Sequence, residues 1–142
     1  MAKFWLHFQV ITLTALLATS VAASDTYGLS LSCEGGEHSS EFKGSKPVQM
    51  GFLHRSLRTI HIKNRKVSDA ECKIWTEDKI ICSSGCLKSD EYCIPFAENG
   101  YFLKLDRITG EGKEKTWWTS QDGTRTSNEF FGSCRKIVGR KF

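Results

Sequence analysis

Six cysteines are the residues of this chain best equipped for chemistry: Cys33, Cys72, Cys82, Cys86, Cys93 and Cys134. Free thiolates could hold a metal or act as nucleophiles, whereas paired sulfurs would cross-link the chain. All six follow an apolar N-terminal leader. An even count behind an export signal reads as a disulfide framework in an oxidising compartment. Zinc is the rival, because Cys82, Cys86 and Cys93 lie close together in sequence. They lack a second ligand pair at a familiar spacing, so no metal site is expected. An even count also leaves no spare thiol for nucleophilic catalysis. No cofactor is expected.

Histidine chemistry is the next candidate. His38, His54 and His61 follow the leader, and none falls in a zinc-ligand pattern. Two histidines and a cation could cleave a phosphodiester by acid–base catalysis, with His54 or His61 as the base beside Arg55 or Arg58. A small ribonuclease-like hydrolase is therefore the alternative function. The spacing does not demand it. His61 alternates with Ile60 and Ile62 and is expected to point away from the core. The acid pair Asp90-Glu91 reads as a hydrated loop pair near Lys88. No nucleophile elbow, phosphate loop or dinucleotide fingerprint occurs. No catalytic residue is assigned, and the leading reading is non-enzymatic.

Binding chemistry has better candidates. Trp117 and Trp118 are adjacent, and neighbouring strand residues point to opposite faces. One is expected in the core and the other available as an aromatic anchor for a partner. Between His54 and Lys66 the chain carries Arg55, Arg58, Lys63, Arg65 and Lys66 and no acid. The candidate binding residues are thus Trp117, Trp118, Arg55, Arg58 and His61. Charge is otherwise mild. The whole 142-residue chain has a formal charge of +4, of which Lys3 in the leader supplies one. That is too little to argue for nucleic acid. Arg135, Lys136, Arg140 and Lys141 make the C-terminus basic, and the middle of the chain leans acidic.

These residues must be held by strands. The leader, Met1 to about Ala23, has the three parts of a signal peptide, with cleavage expected after Ala23 and Ala22 as the alternative. Its apolar run is too short to span a bilayer. Residues 24–142 are expected to form a single β-domain. Tyr27 to Cys33 alternates as a strand, and Glu34-Gly35-Gly36 is expected to turn the chain. Further strands are expected at Val48 to Met50, Arg58 to Lys63, Cys72 to Trp75 and Lys79 to Cys82. Tyr101 to Arg107, Lys113 to Thr119 and Glu129 to Val138 complete the set. Thr76-Glu77-Asp78 and Asp122-Gly123 read as hairpin turns. The stretch from Ser83 to Gly100 reads as loop, with a short strand near Cys93-Ile94. The fold class is all-β, a small antiparallel barrel or sandwich cross-linked by disulfides. Strand placement favours pairing Cys33 with Cys134, Cys72 with Cys82 and Cys86 with Cys93, though sequence alone leaves other pairings open.

Leu105-Asp106-Arg107-Ile108-Thr109-Gly110, a late Gly132-Ser133-Cys134, and the early strand before Gly35 are similar to features of small exported bacterial proteins. The plan resembles that of the C-type lysozyme inhibitors of Gram-negative bacteria. That resemblance implies an exported all-β protein. The serine-glycine and tyrosine motif with which those inhibitors contact lysozyme is not found here, so no functional residue is carried over. The expected function is a periplasmic or secreted binding protein with a protein partner, of inhibitor or immunity type and directed at an exported enzyme. A secreted effector is a further alternative.

Overall fold

A computed structural model describes residues 28–51, 53–87 and 91–137. The leader, Lys88, Asp90, Arg140 and Lys141 lie outside the described residues. Among the described residues nine antiparallel strands follow in chain order: β1 (Leu29–Lys43), β2 (Lys46–Met50), β3 (His54–Ile62), β4 (Lys66–Val67), β5 (Ala70–Trp75), β6 (Lys79–Ser84), β7 (Gly100–Asp106), β8 (Glu111–Thr119) and β9 (Thr124–Lys136). They form one sheet in the order β2-β1-β9-β8-β7-β6-β5-β4, and β3 also pairs with β1. Among the described residues no helix is long and apolar enough to cross a membrane.

Strand β1 organises the sheet. One edge pairs with β9 from Leu31 to Lys43. The other edge pairs with β3 over its first part and with β2 over its last. The expected turn at Glu34-Gly35-Gly36 does not form. Gly35 lies opposite Gly132, and a Cβ on it would stand 2.0 Å from the Phe131 carbonyl oxygen. These glycines mark a close approach of two backbones, a second use of glycine inside a strand. The expected strand at Cys93-Ile94 is likewise only a single bridge between Cys86 and Pro95.

The alternation in β1, β3, β5, β6, β7 and β9 puts Leu31, Cys33, Ile60, Ile62, Cys72, Ile80, Cys82, Leu103, Leu105 and Phe130 into one cluster. Strands from both ends of the sheet order contribute, so the sheet curls around this core. It is not closed into a barrel. β3 meets β4 through a tight turn with one bridge, Lys63 to Lys66. Asn64 and Arg65 take positive φ there, and β4 is too short to continue a ladder.

A second cluster, Ile81, Phe102 and Trp117, lies on the convex face. The loop between β6 and β7 covers it and brings Cys86 and Cys93 against it. Trp117 lies opposite Gly100, and its ring occupies the space that a Cβ there would fill, 1.9 Å away. Three disulfides brace the arrangement: Cys33–Cys134, Cys72–Cys82 and Cys86–Cys93. The first two join residues directly opposite in neighbouring strands. These are the pairs that strand placement favours. All six sulfurs are engaged, and three bridges fit an oxidising compartment.

Candidate functional site

Arg58 enters the concave face from β3. It shares the alternation of Ile60 and Ile62, but beyond them the core gives way to polar side chains. Phe130 on β9 lies between Glu37 on β1 and Glu114 on β8 in the register. The Arg58 guanidinium sits over the Phe130 ring, 5.4 Å from its centroid, and links the two carboxylates. Its Nη1 donates to Glu114 Oε2 and its Nη2 to Glu37 Oε1. Tyr101 on β7 donates its hydroxyl to the other oxygen of Glu114 at 2.7 Å. His54 Nε2 stands 3.9 Å from Glu37 Oε2.

This cluster is tied by charge as well as geometry. Burial works against the Arg58 cation, but hydrogen bonding and attraction from Glu114, and then from Glu37, outweigh it and raise its pKa. Burial pushes the Tyr101 hydroxyl far above its ordinary value, and the Glu114 carboxylate adds to the effect. Tyr101 therefore remains a hydrogen-bond donor throughout the ordinary pH range. Both Glu114 oxygens and Glu37 Oε1 accept from internal donors, and four strands are thereby tied together. Such a network fixes the strands that it joins.

Trp118 lies four residues beyond Glu114 on the same face of β8, opposite Thr126 of β9. It is 44 % exposed. Its neighbour Trp117 points the other way and is 2 % exposed, with its indole N–H donating to the Ala97 carbonyl at 3.1 Å. The pair thus divides between core and surface, and Trp117 is a packing residue.

The remaining candidates do not join them. Arg55 and His61 lie on the convex side of β3, where Arg55 pairs with Glu34 and His61 Nδ1 lies 2.9 Å from Ser30 Oγ. His54 and His61 are seven residues apart in one strand and so face opposite ways. They do not converge as an acid–base pair. Glu91, the described half of the acid pair, is held by Lys79 and Lys104. No family model, curated protein or solved structure matches this chain.

Sequence reasoning missed Glu37, Tyr101 and Glu114 as members of the site. A signal existed for Arg58: the alternation that turns Ile60 and Ile62 inward turns Arg58 inward too. A buried cation requires anionic partners, and Glu114 occupies the corresponding inward position of β8.

Proposed function

We propose that this protein is an exported, non-enzymatic binding domain that takes a protein partner on its concave face around Trp118, as an inhibitor or immunity-type protein directed at an exported enzyme. The observation that carries the reading is the exposed Trp118 on the concave face of β8, the face that also carries Glu114. A large aromatic side chain left partly open to water is the kind of residue that dominates binding energy at an interface. The disulfides support the same reading, because a surface fixed before binding loses less entropy when a partner docks. The bridges also fit the oxidising compartment that the leader implies.

The test uses the oxidised protein from Ser24 to Phe142, titrated against a panel of lysozymes and other peptidoglycan hydrolases by calorimetry and inhibition assay. A stoichiometric complex with one of them is expected. Trp118→Ala should weaken that complex about tenfold or more, with an unchanged melting curve. Absence of any complex or inhibition across the panel removes the inhibitor reading. Hydrolysis of RNA that is lost in His54→Ala would put the hydrolase in its place.

A further inference from the structure

The convex face carries a groove of about 260 Å³ that has no part in the concave network. Its floor is a register row across three strands: Trp117 on β8, Ser127 on β9 and Ser40 on β1. Phe42, Met50 and Pro95 add apolar walls. Arg125 flanks the floor on one side, and Lys115, Glu129 and His38 flank it on the other.

Two polar groups in this groove are left without adequate partners. Ser127 is 6 % exposed, and its hydroxyl has no hydrogen-bond partner among the described residues. Enclosing such a group costs free energy unless an acceptor or donor reaches it. Arg125 is half-buried. Its guanidinium makes two hydrogen bonds, to Thr119 Oγ1 and to the Ala97 carbonyl, both at 3.4 Å. No carboxylate pairs with it among the described residues. The nearby acid is already committed, since Glu129 binds Lys115 at 2.7 Å. Burial opposes the Glu129 charge, but Lys115, Lys113 and His38 outweigh it and hold the carboxyl below its ordinary pKa. The unsatisfied charge in the groove is therefore positive. It adjoins an apolar wall that includes the only large aromatic ring of the floor, Trp117.

We propose that this groove binds a small amphipathic carboxylate, an aliphatic or aromatic acid whose carboxylate pairs with Arg125 and whose hydrocarbon lies against Trp117, Met50 and Phe42. A guanidinium offers a planar fork matched to a carboxylate, which a point charge does not. The volume is below the ~300–1,000 Å³ of sites for drug-sized ligands, so the acid is small. This site is independent of the partner surface at Trp118, which lies on the opposite face.

The experiment is a titration of the oxidised protein with hexanoate and with phenylacetate, followed by proton–nitrogen NMR. The Trp117 indole N–H reports on the groove from its bond to Ala97. Both acids should shift that signal saturably, with a dissociation constant on the order of 1 mM or tighter. Hexanamide, phenylacetamide, acetate and inorganic phosphate should leave it in place. Arg125→Gln should weaken acid binding about tenfold. Arg125→Lys, which keeps the charge and loses the fork, should fall between the two. The proposal is overturned if neither acid shifts the signal, if the amides, acetate or phosphate shift it equally, or if both Arg125 variants bind like the parent. It is also overturned if a protein partner alone, and no free acid, displaces the signal. Complex formation at Trp118 is read separately, so either proposal can fail without the other.

Discussion

Arg58 and Trp118 on the concave face of the curled sheet and Arg125 and Trp117 on its convex face exchange roles. On the concave face Arg58 is locked between Glu37 and Glu114, and Trp118 is open to solvent. On the convex face Trp117 is locked beneath the β6–β7 loop, and Arg125 has no carboxylate partner among the described residues. Residue type alone does not separate these pairs. Position in the register does, because it decides whether a side chain meets a neighbour that completes it. The completed residue of each face holds strands or loop in place, and the incomplete one is left open.

The tryptophans give the largest test of this comparison. Trp117→Ala opens a cavity beside Phe102 and Ile81 and frees the Ala97 carbonyl, for an expected loss of about 3–5 kcal/mol. Trp118→Ala should change stability by no more than about 0.5 kcal/mol, as at an ordinary surface position. Urea unfolding followed by circular dichroism measures both. Similar losses in the two variants would break the division between packing and presentation.

The arginines come next. Arg58→Met leaves Glu37 and Glu114 facing each other over Phe130 without a cation. Removal of one partner from a mostly enclosed ion pair strands the other charge, and a cost of about 2–4 kcal/mol is expected. Adding Glu114→Gln to that variant should return part of the loss, because it removes one of the stranded charges. Arg125→Met breaks only two long hydrogen bonds and places an apolar side chain beside Phe42 and Met50. Its stability should stay within about 0.5 kcal/mol of the parent. Equal costs at the two positions would mean that Arg125 has a structural role like that of Arg58.

Much of the frame was legible in the sequence, and the reasons are local. Period-two alternation marks β7 and the inner part of β3 because one face of each is apolar. The adjacent tryptophans had to divide between faces, and the cysteine pairs follow from strands that neighbour one another. The failures arose where long-range contact overrides local preference. Gly35 and Gly36 read as a turn, yet they lie within a 15-residue strand, and at Gly35 the β9 backbone approaches too closely for a side chain. β9 was expected from Glu129, five residues after its start at Thr124, so Arg125 and Ser127 were not recognised as strand residues sharing a face. The Arg58 network joins four strands, and no single segment contains more than two of its members. Barrel closure depended on the β3–β4 turn, where the left-handed Asn64 and Arg65 allow a single bridge only.

The smallest expected effect concerns the cover of the convex face. Glu91 in the β6–β7 loop pairs with Lys104 on β7 and with Lys79 on β6. Hydrogen bonding from Lys104, and then from Lys79, lowers its pKa from 4.5 to about 2. A carboxyl depressed on folding contributes stability above its unfolded pKa and loses it as pH falls through the folded value. The loop should therefore be fully pinned above about pH 4.5 and loosen progressively toward pH 2. Glu91 is exposed, so solvent and salt screen the pairs and global unfolding need not follow. Local opening should follow instead, read by faster exchange of the Phe96 and Ala97 amides, which bond the Gly85 carbonyl. Glu91→Gln should exchange faster already at pH 5 and show little further change on acidification. A loop whose exchange is insensitive to both the acid and the substitution would mean that Trp117 and the Cys86–Cys93 bridge hold the cover by themselves.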